Sequence, residues 1–313
     1  LAFTGVGHAP DRATILGLAG FTPESYDAAK AAATFAAIPA DHTITVEGLP
    51  PLAFAPKSDL IFDYDTRLEG HTNGMILMAT DAQGDVTLRE TYLSVGGGFV
   101  LTEQELADGA DTAEGPPVPY PFKSAAEMLE MAQTSGKSIA QMKRANEVVR
   151  GGEAKLRAGT QRLWQVMSDC IDRGLNTDGI LPGGLFVKRR AKGIHDALLA
   201  ERGLNLTAPH AINDWMSVYA MAVNEENAAG GQVVTAPTNG AAGVLPATLR
   251  YYLDHVPGAS TAKIEEFFLT AAAIGGLVKF NASISGAEAG CQAEVGSAAA
   301  MAELMRFAAS PSF

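Results

Sequence analysis

The run Lys279-Phe-Asn-Ala-Ser-Ile-Ser-Gly-Ala-Glu-Ala-Gly-Cys-Gln-Ala-Glu294 places one of the chain's two cysteines among small and polar side chains. Asn281, Ser283, Ser285, Glu288, Gln292 and Glu294 supply hydrogen-bond donors and acceptors, while Gly286 and Gly290 let another group approach the backbone beside Glu288. A core helix does not spend residues this way. The composition describes a lined site around a thiolate at Cys291. If the segment runs as one helix from about Ala287, Glu288, Cys291 and Glu294 fall at i, i+3 and i+6, so neighbouring members share a face. Cys170, within Met167-Ser-Asp-Cys-Ile-Asp172 on an amphipathic pattern, reads instead as inert packing.

A second constellation spans Asn224 to Gly243: a polar helix end, the diglycine Gly230-Gly231, a short apolar run, then Pro237-Thr-Asn-Gly240. Thr238 or Asn239 is placed to cap a helix starting near Gly240. The amides of Asn239, Gly240 and Ala241 would then face an anion such as a carboxylate, with the helix dipole favouring negative charge. Lys279 invites comparison with a Schiff-base lysine, but it lies in a helical region far from the glycine run Gly96-Gly97-Gly98, so pyridoxal phosphate is not expected. It remains a charge partner for a substrate carboxylate. Near the N-terminus, Thr4-Gly-Val-Gly-His8-Ala-Pro-Asp11 sets a histidine and a carboxylate on a glycine loop before a helix, an arrangement suited to proton transfer. Arg189-Arg190 forms a basic pair that could hold a carboxylate.

The elements that must position these groups divide by composition. Asp27 to Ala37 reads as a helix, and Thr43–Val46, Gly74–Ala79 and Asp85–Leu93 read as strands, the last two joined by a turn at Ala82–Asp85. Pro116, Pro117, Pro119 and Pro121 mark a linker. Beyond it, helix signals cover about 124–135, 138–150, 153–174, 189–202, 211–229, 240–254, 261–280 and 287–308. The fold class is therefore α+β: a small N-terminal α/β domain over residues 1–107, a linker over 108–122 and an all-helical domain over 123–313. A formal charge of −12 argues against nucleic acid or an anionic membrane as partner. Two cysteines with helical neighbours fit a reducing compartment, and no secretion signal or long apolar run is present, so the cytoplasm is expected.

Several of these motifs together resemble the bacterial iron-sulfur L-serine dehydratases. They are Glu225-Glu-Asn-Ala-Ala-Gly-Gly-x-Val-Val-Thr-Ala-Pro-Thr-Asn-Gly-Ala241, Asn281-Ala-Ser-Ile-Ser-Gly-Ala-Glu-x-Gly-Cys-Gln-x-Glu-Val-Gly296, Ser94-Val-Gly-Gly-Gly-Phe99, Val118-Pro-Tyr-Pro-Phe-Lys-Ser124 and Cys170-Ile-Asp-Arg-Gly174. The resemblance implies a β-type domain before an α-type helical catalytic domain, homodimeric assembly, and conversion of L-serine to pyruvate and ammonia in amino-acid catabolism and gluconeogenesis. It also implies a four-iron four-sulfur cluster held by three thiolates, whose open iron acts as a Lewis acid, and no pyridoxal phosphate. Cys291 matches the first cluster ligand and His8 the histidine proposed for proton transfer. Thr238, Asn239 and Gly240 match the substrate site; Ser283, Ser285, Glu288 and Lys279 match the motif around the ligand.

The chain departs from the family pattern as well. It begins after the usual Ser-Ser-Ser-His-Thr segment and ends before the Cys-Asp-Pro-Val segment and nearby cysteine that supply two ligands. Ala242 and Ala299 stand where some relatives carry cysteine. A piece of a longer enzyme, inactive alone, is the expectation; a non-catalytic helical domain binding a small carboxylate through the Pro237–Gly240 helix start is the alternative.

Overall fold

The computed structural model describes residues 2, 7, 9–66, 68–71, 73–109, 116–202, 210–284 and 286–303, the side chains of residues 287 and 288 apart. Contacts divide the chain into two compact units, Leu1–Val95 with Phe99–Thr112, and Gly96–Gly98 with Ala113–Phe313. His8, Ser285, residues 110–115 of the expected linker and residues 304–308 of the last expected helix lie outside the described residues.

In the first unit, α1 (Pro10–Leu18) and α2 (Ala28–Asp41) precede a two-stranded antiparallel sheet of β1 (Thr43–Ile44) and β2 (Leu52–Ala53). The short α3 (Pro56–Asp59) follows. Asp27 starts α2 by accepting the Lys30 N–H, satisfying one of the donors a helix N-terminus leaves over. A three-stranded sheet then forms in the order β3 (Gly74–Thr80), β4 (Val86–Gly96) and β5 (Phe99–Thr102). Asp81 closes the β3–β4 turn by accepting the Gln83 and Asp85 amides on Oδ1. The small helix α4 (Glu103–Ala107) ends the unit, with a capping box between Thr102 and Glu105. Ile15, Ile38 and Ile44 form the buried centre beneath α1, α2 and β1.

Among the described residues, the regular structure of the second unit is helical apart from one antiparallel bridge, Ile180 to Lys188. Its elements are α5 (Ala125–Ser135), α6 (Ile139–Asn176), α7 (Ala191–Glu201), α8 (Ala211–Ala228), α9 (Val244–His255), α10 (Lys263–Asn281) and α11 (Gly286–Ala302). Ser124 with Glu127, and Ser138 with Gln141, form capping boxes at α5 and α6. Each such cap is worth about 1 kcal/mol. Gly152, at φ 78° and ψ 160°, breaks α6 between the two helices read from the sequence.

Small residues let these helices cross closely. A Cβ at Gly174 on α6 would stand 2.4 Å from the Ala222 carbonyl oxygen on α8, and one at Gly243 would stand 2.7 Å from the Ala220 oxygen. The core has two main parts: one around Leu245, Leu249, Phe267 and Met301, the other around Cys170, Ile171, Val218 and Ala222. Among the described residues no helix is long and apolar enough to cross a membrane.

Candidate active site

The polar-glycine segment begins where α10 ends. Asn281 turns its amide inward, with Nδ2 donating to the Leu277 carbonyl at 2.9 Å and to the Lys123 carbonyl at 2.8 Å. The first bond closes the last turn of α10, and the second clasps it to the segment before α5. Lys123 Nζ in turn stands 5.4 Å from the Phe280 ring centroid. Tyr120, in the same segment, is held to α6 by paired bonds with the buried Asn146 amide, at 2.9 and 2.7 Å. Two motifs far apart in sequence thus meet, and Asn281 is spent on joining them. Lys279 and Ser283 are half-buried at this end of α10 and just beyond it.

The helix expected through Glu288 and Cys291 is not continuous. Gly290 adopts φ 78° and ψ 163°, a conformation that favours glycine because it has no Cβ to clash. The backbone therefore makes one turn over Gly286–Ala289, breaks, and restarts as a helix at Cys291. Glu288 and Cys291 do not share a helix face across this break; Cys291 and Glu294 do, on the restarted helix. The Cys291 thiol is exposed.

The Pro237-Thr-Asn-Gly240 segment also differs from the expected helix start. Turn bonds from the Ala242 N–H to the Asn239 carbonyl, and from the Val244 N–H to the Ala241 carbonyl, carry the chain into α9 at Val244. Gly243, with helical angles and no side-chain cap, occupies the cap position rather than Thr238 or Asn239. The close approach of Gly243 to α8 sets this later start. Asn239 Oδ1 accepts the Thr235 hydroxyl. Thr238 is 4% exposed, and its buried Oγ1 has no hydrogen-bond partner among the described residues.

Glu294 joins the two segments. A Cβ added at Gly286 would stand 2.7 Å from Glu294 Oε1, and one at Gly240 would stand 3.1 Å from Oε2. Both glycines leave room for the same carboxylate. The sequence marked Glu294 as a polar neighbour of Cys291 but gave it no site role; the paired glycines are the signal that could have assigned one.

The Glu225-Glu226 pair serves the scaffold. Glu225 is 5% exposed and accepts the Arg190 amide at 2.6 Å and the Ala191 amide at 3.3 Å, so it caps α7 from a neighbouring helix. Glu226, 6% exposed, takes Arg189 Nη1 on Oε1 at 2.8 Å and Arg173 Nε on Oε2 at 3.1 Å. Arg189 is thus a buried internal partner, one of the readings open for the basic pair. Gly231 is required beside this carboxylate, since a Cβ there would stand 2.8 Å from Glu226 Oε2.

The sequence matches known proteins over most of its length. A family model described as serine dehydratase alpha chain matches residues 123–307, and one described as serine dehydratase beta chain matches residues 1–105. The chain belongs to the serine dehydratase family. It is 45% identical over 303 residues to the L-serine dehydratase of Streptomyces coelicolor, covering 96% of this chain and 66% of the relative. It is 42% identical over 302 residues to L-serine dehydratase TdcG of Escherichia coli, with the same coverage. Against the L-serine dehydratase of Mycobacterium bovis it is 43% identical over 306 residues, covering 96% of this chain and 65% of the relative. The chain thus spans about two thirds of the length of these curated relatives.

The donor set does not by itself fit the iron-sulfur cluster that the family resemblance implies. Such a cluster is held by several cysteine thiolates. The chain has two cysteines. Cys170 is 1% exposed within the α6–α8 core, and burial pushes its thiol up to about 11, away from the ligating form. Cys291 is left as the accessible thiol, and among the described residues no group of three or more His, Cys, Asp or Glu side chains could hold a metal ion. The unpartnered Thr238 hydroxyl nonetheless points to a polar guest at this site, because buried hydroxyls are nearly always hydrogen-bonded.

Proposed function

We propose that the protein is a lyase that converts L-serine to pyruvate and ammonia, with the amino acid bound between the Thr238–Gly240 turn and the helix that starts at Cys291. The observation that carries the reading is the unpartnered, buried Thr238 hydroxyl in the turn that Glu294 links to Gly286. The named relatives, all L-serine dehydratases, support the substrate.

In this reading Thr238 donates its hydroxyl hydrogen to the substrate carboxylate, with Asn239 and Gly240 shaping the same wall. Glu294 receives the ammonium group. Lys279 and Ser283 are proposed to contact the substrate beside this turn, and the family resemblance assigns Ser285 and Glu288 supporting roles and His8 the movement of the Cα proton. Loss of that proton and of the hydroxyl as water leaves an enamine, which becomes pyruvate and ammonia on hydrolysis. In a protein of the relatives' full length, a four-iron four-sulfur cluster would supply Lewis acidity when bound. Cys291 would contribute one thiolate toward it. Homodimeric assembly and a cytoplasmic location complete the proposal.

A second reading has one observation in its favour: an accessible thiol at Cys291 alone cannot hold a cluster. The present chain then binds a small carboxylate without turning it over. Calorimetry and a pyruvate assay separate the two. Protein extended to the full length of its relatives, reconstituted anaerobically with ferrous iron and sulfide, is expected to release pyruvate from L-serine. The present chain alone is expected to bind L-serine, to lose that binding in Asn239→Asp, and to release no pyruvate. A well-folded, reconstituted full-length protein that releases no pyruvate would overturn the lyase reading.

A further inference from the structure

At the other end of α9, a cavity of about 300 Å³ opens between the C-terminal part of α6 and helices α7, α8 and α9. It is distinct from the Thr238–Gly240 turn, because Arg250 and Asp254 lie six and ten residues beyond the start of α9, roughly 10–15 Å along the axis at 1.5 Å per residue. Its polar groups are divided by sign. On one wall Arg250 bridges two carboxylates, with Nη1 to Asp172 at 3.0 Å and Nε to Asp254 at 2.7 Å. The buried Tyr219 hydroxyl donates to the same Asp254 oxygen at 3.0 Å. One guanidinium between two carboxylates leaves this wall one negative charge.

Arg202, an exposed residue, also lines the cavity, and its guanidinium stacks 4.9 Å from the Trp215 ring centroid. Among the described residues no carboxylate pairs with it, and residues 203–209, Gly-Leu-Asn-Leu-Thr-Ala-Pro, contain no acid. His195, edge-on to Trp215 at 5.7 Å, and His255, 4.7 Å from it, are held toward the neutral form chiefly by burial. The lining therefore sums to zero formal charge, with Arg250 engaged by both carboxylates and Arg202 paired with neither among the described residues. Leu175 and Leu199 add an apolar stretch of lining.

We propose that this cavity is a second ligand site, taking a small α-amino acid with an aliphatic side chain as its zwitterion. The carboxylate pairs with Arg202, the ammonium faces the Asp172–Asp254 wall, and the side chain lies along Leu175 and Leu199. A bare anion would meet the net negative wall unpaid, and a bare cation would meet Arg202. A zwitterion satisfies both at once, and the volume suits a ligand of amino-acid size.

The test uses the fluorescence of Trp215 in a Trp164→Phe background, because these are the two tryptophans and Trp164 packs in a different part of the core. L-Valine is expected to give a saturable change. Isovalerate, which lacks the ammonium, and isobutylamine, which lacks the carboxylate, are each expected to bind at least about tenfold more weakly, the loss of one charge-assisted contact. Arg202→Met should weaken valine to a similar degree with only a small drop in melting temperature, since it removes one exposed cation–π contact and no carboxylate of the described structure depends on it. No saturable response to valine, equal binding of isovalerate or isobutylamine and valine, or full affinity in folded Arg202→Met would each overturn the proposal. The ligand series is measured on protein with the cavity intact, so it decides the question even if a cavity variant folds poorly.

Discussion

The carboxylate of Glu294 lies against Gly240, close enough that a Cβ on that glycine would stand 3.1 Å from Oε2. One side chain on the last helix thus sets the size limit for a turn some fifty residues earlier. The same carboxylate sets the limit at Gly286.

Whether an added methyl is tolerated depends on what it meets. Gly286→Ala collides with the end of a flexible side chain, so the protein is expected to stay folded with less than about 1 kcal/mol lost, at the expense of displacing Glu294. Gly174→Ala meets the backbone of Ala222, which cannot swing away, and is expected to lose about 2–3 kcal/mol. Urea denaturation of the two variants checks the contrast; equal losses would contradict it.

Thr238→Val keeps the shape of the buried side chain and removes a hydroxyl that has no partner. Burying an unsatisfied hydroxyl costs about 1–3 kcal/mol, so the valine variant should be as stable as the parent or up to about 1 kcal/mol more so. Its affinity for L-serine should fall. A clear loss of stability, read from the urea midpoint, would mean that the hydroxyl is satisfied.

Much of this scaffold was readable in the chain. The helix break near Gly152 followed from Gly151-Gly152, and the β3–β4 hairpin followed from two strand-like runs around Asp81–Asp85. The start of α9 was misjudged by four residues because Gly243 packs on the α8 backbone, a tertiary contact that local capping preferences do not encode. The break at Gly290 was missed for a related reason: glycine in an alanine-rich run is compatible with a helix until its φ is known. Asn281 looked like the lining of a site and Glu226 like part of a polar helix end, yet their partners, Lys123 and the pair Arg173 and Arg189, lie far away in sequence. Residue type announces a polar role but not which partner fills it.

The two thiols should react in sequence. Cys291 is exposed, whereas Cys170 is buried and its thiol is raised to about 11 by desolvation. In native protein at pH 8, one equivalent of thiol should react rapidly with Ellman's reagent and the second only after denaturant is added. Rapid reaction of both, or a Cys291→Ser variant that still reacts at once, would be the contrary result.

Acidification should weaken the helical unit through His195 and His255. Burial lowers both below the ordinary 6.5, so near that pH the unfolded chain binds more protons than the folded one. Their contribution is complete above about pH 6.5 and is lost as pH falls toward the lowered folded values. Unfolding free energies measured between pH 7.5 and 5 should therefore decline on the acid side, and His255→Asn should flatten the slope. An unchanged slope would remove this histidine as a cause.

The bond from Asn281 to the Lys123 carbonyl ties together residues 158 positions apart. Contacts of such separation carry a large loop-closure cost and form late in folding. On a growing chain, α5 to α9 are complete before the residue that clasps α10 to the start of the unit has been made. The meeting of Glu294 with Gly240 and Gly286 is therefore a late product of synthesis, made only after the helices that frame it have found one another.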